Sequence, residues 1–265
     1  MKTRTLIIAL SACVISAAAL SAQEVRTERK NTLYDLPPRM LIDCPTAGTL
    51  HRGYYDIGLR IYPAGGGLGY TDVGLSSRFM LGISYGAEDV ISNREPNWNP
   101  RIGFRVKFRI IDEMEYFPAV TLGYTDQGFG AWSEEWDRYT FKSKGFYGVV
   151  SRSFYFYKWT SGWHVGVNYS LENEVDNEDD IDFFAGFDAT FNYNLGLVFE
   201  YDAGLNDNKS SIPFSGKGRG YLNMAVKWLF APNLEIELLL KDLLVNRPES
   251  DTFTREIRLT YIDSF

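Results

Sequence analysis

Apolar side chains recur at every second position in segment after segment of this 265-residue chain. That period is the signature of a β-strand with one apolar face. In 101–111, Ile102, Phe104, Val106, Phe108 and Ile110 share one side, and Arg101, Gly103, Arg105, Lys107 and Arg109 the other. In 163–172, Trp163, Val165, Val167, Tyr169 and Leu171 oppose His164, Gly166, Asn168, Ser170 and Glu172. Twelve segments are predicted strands: 53–62, 67–76, 79–87, 101–111, 117–126, 141–156, 162–172, 181–191, 195–205, 219–230, 234–244 and 253–264. The pattern slips in 67–76, where a bulge is expected. The inward face is ambiguous at Val149 and Val150.

Three features predict an antiparallel transmembrane β-barrel of about twelve strands over 53–265, and not a soluble sandwich. Most segments reach the roughly ten residues a tilted strand needs to cross a bilayer. The connections alternate between short turns and long polar loops at 88–100, 127–140, 173–180, 206–218 and 245–252, as in outer-membrane barrels. The exception is the short link 63–66 after the first strand. Aromatic residues, which include 18 Phe, 17 Tyr and 6 Trp, gather at strand ends near the short turns, where they suit an interfacial girdle. On the last strand, Ile257, Leu259, Tyr261 and the final Phe265 share one parity. They resemble the signal by which barrels are passed to the insertion machinery.

Residues 1–22 read as a secretory leader, with Lys2 and Arg4 ahead of an apolar stretch and cleavage expected after Ala22. Cys13 sits in that stretch; Leu10-Ser11-Ala12-Cys13 is lipobox-like, but only about five apolar residues precede the cysteine, against the usual ~7–15 of a leader core. Residues 23–52 carry no strand period and form a periplasmic or plug segment. The expected location is the outer membrane of a Gram-negative-type bacterium, with lipid, lipopolysaccharide and the insertion machinery as partners. A net charge of −7 argues against nucleic acid. Two Cys and two His argue against a disulfide scaffold or a multi-histidine metal site, and no cofactor is expected.

If the apolar parity faces lipid, the other parity lines a lumen. Arg60, Arg101, Arg105, Lys107 and Arg109 then form a basic stripe, and Asp188, Glu200, Asp202, Glu235, Glu237 and Glu256 an acidic sector across from it. Either these charges mesh into a network that closes the interior, or they stay apart and set a transverse field across a water-filled pore. Inward glycines, among them Gly58, Gly123, Gly166 and Gly186, leave room for both.

Chemistry-bearing motifs are sparse. There is no Walker loop, dinucleotide fingerprint, HExxH or CxxC. His164 is the one candidate general base in the barrel, with no serine at a telling spacing. The acidic run 174–182 lacks calcium-loop spacing and reads as a solvated outer loop. Cys44 reads as a spare loop thiol.

The phrase Leu41-Ile42-Asp43-Cys44-Pro45-Thr46-Ala47-Gly48 resembles the opening of YjbH-like outer-membrane proteins, where it precedes the first strand. Leu81-Gly82-Ile83-Ser84-Tyr85-Gly86, Asn97-Trp98-Asn99-Pro100, Lys144-Gly145-Phe146-Tyr147 and Lys241-Asp242-Leu243-Leu244 are similar to further motifs of that group. The resemblance spans 31–265 and implies an outer-membrane barrel, in some members tied to exopolysaccharide production or export. The function expected is non-enzymatic: a porin-like transport channel, or an accessory to envelope-polysaccharide export that works with export components. The alternatives are a plugged structural or adhesive barrel, and a membrane-embedded hydrolase using His164.

Overall fold

The computed structural model describes residues 36–156, 159–191, 194–209 and 215–265. The leader expected at 1–22, with Cys13, and residues 23–35 lie outside the described residues. Fifteen strands follow in order: β1 (Tyr54–Tyr62), β2 (Gly66–Gly74), β3 (Phe79–Glu88), β4 (Asn97–Trp98), β5 (Gly103–Ile111), β6 (Ala119–Thr125), β7 (Phe129–Ser133), β8 (Arg138–Phe141), β9 (Gly145–Phe156), β10 (Trp159–Tyr169), β11 (Asp182–Phe191), β12 (Leu195–Asp202), β13 (Tyr221–Ala231), β14 (Leu234–Lys241) and β15 (Thr254–Ser264). All but β4, β7 and β8 pair antiparallel with two neighbours each, and the pairs β1–β15 and β2–β3 close the ring. The result is a twelve-stranded barrel. Closure matters because an open sheet edge in hydrocarbon would strand unpaired N–H and C=O groups.

The distribution of polarity identifies the surroundings. Val165 is 61% and Ile57 55% exposed on the outer face, whereas Arg60, Lys107, Lys241 and Glu200 are at most 1% exposed inside. A water-soluble protein has the opposite arrangement. Burying the charges and presenting the aliphatic residues lowers the free energy only when the outside medium is itself apolar. The barrel therefore spans a membrane, and a closed strand barrel is the outer-membrane solution to that problem. Ile257, Leu259 and Tyr261 lie on the outer parity of β15, and Phe265 packs on Tyr55 with ring centroids 5.0 Å apart.

Three strand details differ from the sequence pattern. In β2 the register runs without interruption from Gly66 to Val73 against β1, so the expected bulge is absent. Leu68 and Tyr70 instead share the inward parity with Asp72, and Gly67 and Gly69 take the outer one. In β9, Val149 is inward and Val150 outward. The strand expected over 141–156 begins only at Gly145, and the polar loop expected at 127–140 holds β7 and most of β8, which ends at Phe141.

Inward glycines do not leave open space. Tyr70 lies over Gly58, Tyr147 over Gly123 and Phe184 over Gly166; each is the glycine's register partner on the adjacent strand. A Cβ at any of the three would fall within 2.3 Å of the ring. Glycine and aromatic are thus paired devices that fill the barrel from its own wall.

A charge on the outer face near mid-strand should be costly. Val165→Arg is expected to lower stability by roughly 2–4 kcal/mol, against about 1 or less for Val175→Arg in a loop. Urea unfolding of the barrel in bilayers measures both.

Candidate functional site: the plugged lumen

Residues 36–50 enter the lumen from the short-turn end and return to it. Leu36 and Leu50 pack with Met80 and Ile262 beside that rim. Between them the chain reverses, with the Leu41 N–H donating to the Cys44 carbonyl at 2.9 Å and the Thr46 N–H to the Arg39 carbonyl at 3.2 Å. Pro37, Pro38 and Pro45 restrict φ along the path and pre-shape the loop. Leu41, Ile42, Cys44, Thr46 and Leu50 are fully buried.

The barrel wall holds this segment by its main chain. Glu200 on β12 accepts three consecutive amides, from Ile42 and Asp43 at 2.9 Å and Cys44 at 2.7 Å. Successive N–H groups of a turn form an anion nest, and here the anion is a wall carboxylate. On the other side, Lys107 on β5 donates to the carbonyls of Arg39, Thr46 (3.1 Å) and Gly48 (3.3 Å). Arg109 donates to the Ala47 carbonyl at 3.2 Å and to the Thr49 hydroxyl, and Thr121 to the Ala47 carbonyl at 3.1 Å. Arg258 on β15 reaches the Ile42 and Leu41 carbonyls at 3.0 and 2.6 Å. Acidic and basic wall groups thus bind opposite poles of the same peptide groups.

Side-chain ion pairs complete the hold. Asp43 lies 2.8 Å from Arg60 and 2.7 Å from Lys241, and Arg39 lies 2.7 Å from Asp56. Burial would raise the Asp43 carboxyl, but Lys241 and Arg60 hold it down at about 2. Burial pushes the Cys44 thiol well up, with Glu200 adding to the shift, so Cys44 stays protonated and unreactive.

Most of the predicted lumen residues face inward, but as a meshed network. Arg105 pairs with Asp72 at 2.6 Å, Arg60 with Glu256 at 2.5 Å, Glu237 with Arg258 and with Lys227 at 3.1 Å, and Asp202 with Lys144. Glu235, a quarter exposed, lies 3.8 Å from Lys227. Arg101 is a correction: it precedes β5, is exposed, and sits 5.8 Å from the Trp132 ring centroid. The acidic sector is also not purely acidic, because Lys227, Lys241 and Arg258 interleave with it on the inward parity. That parity is visible in the sequence.

His164 has partners that spacing did not suggest. Ser151 Oγ lies 2.7 Å from Nδ1, and Asp188 Oδ1 lies 2.8 Å from Nε2. The row is set by β9–β10 and β10–β11 register. Ser151 Oγ also accepts the Ala47 N–H at 2.9 Å. Asp188, His164 and Ser151 thus form a line that ends on the plug backbone, and the hydroxyl is covered by it.

The long-loop mouth is closed by the β7–β8 hairpin. Phe129 and Phe141 turn inward against Tyr62, Leu68 and Tyr221, and Met40 of the plug packs on this cluster. Arg60 lies 4.2 Å from the Phe129 centroid and Lys241 Nζ 3.6 Å from the Phe141 centroid. The acidic run is not wholly solvated, which corrects the sequence reading. Asp176 and Glu178 are buried, and Asp176 pairs with Arg138 at 3.2 Å and Lys142 at 2.6 Å. Two pockets beside Asp43 have volumes of about 20 Å³ each, room for roughly one water.

No family model matches the sequence, and no curated protein matches it. Among solved structures, the chain is similar to the KdgM porin at 9% identity and a TM-score of 0.47, covering 80% of this chain and 99% of that one. It is similar to the NanC porin at 9% identity and a TM-score of 0.45, with coverages of 80% and 99%. It is also similar to the outer membrane protein Omp33 of Acinetobacter baumannii at 9% identity and a TM-score of 0.43, with coverages of 82% and 99%.

Maleimide labelling of Cys44, read on its own peptide by mass spectrometry, reports release of the plug. Glu200→Gln weakens a charged acceptor of three amides, and hydrogen bonds to charged groups are worth about 1.5–3 kcal/mol. Labelling is expected to quicken about 10- to 100-fold while the barrel stays folded. Acid should act through Asp43. Its folded pKa is depressed, so its contribution is complete above the unfolded value near 3.8 and is lost as pH falls through about 2. Labelling with a 2-pyridyl disulfide, which protonation activates at acid pH, should rise across that window. Asp43→Asn, with its other plug anchors intact, should raise labelling part-way at neutral pH and flatten the rise between about pH 4 and 2.

Proposed function

We propose that this chain is a non-enzymatic outer-membrane channel held shut in its resting state by residues 36–50. The observation that carries the reading is the kind of hold: the plug is bound through wall carboxylates, lysines and arginines, with no covalent link. Such bonds exchange readily for water once the segment moves, and the wall left behind is polar and charged, as a water-filled pore requires. The loop's two ends lie at the short-turn rim, so release is directed to the periplasm.

The YjbH-like resemblance extends this reading to an accessory role in envelope-polysaccharide export. Its opening phrase, residues 41–48, is the part of the plug that the wall grips. Partners on this reading are export components on the periplasmic side, lipopolysaccharide around the outer rim and, during biogenesis, the insertion machinery acting on the last strand. A plugged structural barrel is the second reading, favoured by the filled lumen. His164 and Ser151 serve as positioning residues for Ala47 in both.

Planar-bilayer recording separates the two. The full chain is expected to be mostly closed, and Glu200→Gln with Lys107→Met to raise open probability by about 10-fold or more, as the loss of two charged anchors implies. If that variant exposes Cys44 yet passes no current, the barrel is structural.

A further inference from the structure

The lumen contains a feature that solute passage does not need. Amid the charges, Val198, Ala225 and Leu239 form an apolar seat on β12, β13 and β14, filled by Leu41 and Ile42. All five side chains are fully buried. Gly186 on β11 borders the seat: a Cβ there would fall 2.4 Å from the Phe199 carbonyl oxygen and 2.5 Å from Leu41 Cδ1, so a larger residue would press on both the neighbouring strand and the leucine. Immediately after the aliphatic pair, Asp43 is gripped by Arg60 and Lys241, and Glu200 caps the three amides of the turn.

From this we infer that the lumen is a peptide-binding site for a turn of two aliphatic residues followed by an acid, and that residues 36–50 are its resident, tethered ligand. The incoming ligand is another polypeptide loop of that chemistry, arriving from the short-turn side. The inference rests on the gated-channel reading and names what displaces the plug. Bare release would leave the three apolar side chains of the seat facing water, which is unfavourable, while Glu200 and Lys107 would take water in place of their main-chain partners. Exchange for a second loop replaces every one of those contacts. The site reads shape and polarity: an aliphatic side chain over Gly186, a carboxylate between two cations, and three amides on one carboxylate. A sugar or inorganic ion offers none of the first and third.

Because the resident segment is tethered, its effective concentration is in the ~mM range, and a free competitor has to approach that level. The test uses the folded full chain in detergent micelles and a synthetic peptide of residues 36–50 carrying Cys44→Ser. Cys44 of the protein is then labelled with maleimide. The expected result is a saturable rise in labelling, about 10-fold at ~mM peptide, with half-saturation at lower peptide in the Asp43→Asn chain. A peptide with Leu41→Asn and Ile42→Asn should give no rise. Equal effects of the two peptides, or no rise even in Asp43→Asn chains that remain heat-modifiable and folded, would overturn the inference. Bilayer recording keeps the two proposals apart. A bound peptide itself fills the lumen, so current is read without peptide. Peptide-induced labelling, with no current from the Glu200→Gln, Lys107→Met chain once its Cys44 is exposed, sinks the channel and leaves the peptide site; current on plug release without peptide displacement does the reverse.

Discussion

Hydrocarbon on the outside is the constraint from which the rest of the structure follows. It forces closure of the sheet, since no edge can be left unpaired in lipid. It also sends the charged side chains of the mid-strands inward, leaving those of the outer parity, such as Arg255 and Asp263, to strand ends. A twelve-stranded ring is too wide for its own side chains to fill evenly, and buried charges without partners are strongly unfavourable. The molecule meets both demands with main chain. The loop at 36–50 brings amides to Glu200 and carbonyls to Lys107, Arg109 and Arg258, so one short segment fills space and satisfies charges of both signs.

The two ends of the barrel are closed by one connected network. Arg60 holds Glu256, Asp43 and the Ile42 carbonyl in its plane while its face meets Phe129. Lys241 holds Asp43 and meets Phe141. The β7–β8 hairpin at the long-loop mouth and the plug from the opposite rim therefore stand on the same two cations. Cation–π contacts in a desolvated site contribute about 2 kcal/mol, enough for displacement of the hairpin to alter the grip on the plug.

The strands were legible because lipid on one face and charge on the other impose a strict alternation, as in β10, where Trp163 and Val165 flank His164. The direction of the faces was legible for the same reason. Lys227, Lys241 and Arg258 stood on the inward parity too, but lay among more numerous acids. Three things were not legible. Leu68 turns inward because a loop hairpin, Phe129 and Phe141, packs on it with Tyr62 and Tyr221, and Tyr70 because Gly58 on the adjacent strand leaves room for its ring. The partners of His164 lie on adjacent strands and are joined by register alone. The seat of residues 36–50 is non-local throughout: Glu200 and the three amides it accepts are more than 150 residues apart, and no local period announces a segment whose contacts are made by its backbone. Arg101 failed for a simpler reason, since β5 begins two residues later than the alternation suggests.

The central claim is that residues 36–50 lie inside the folded barrel against its wall. Cys44 packs in one cluster with Val149. A Val149→Cys chain, folded from urea into vesicles with a disulfide-promoting oxidant present, so that both thiols are reachable before the plug seats, tests that placement directly. The account predicts an intramolecular bridge between positions 44 and 149 in the heat-modifiable, folded form, absent when a cysteine is placed instead at the outward-facing Val150. Failure of the folded Val149→Cys chain to bridge, or equal bridging from Val150→Cys, would contradict it.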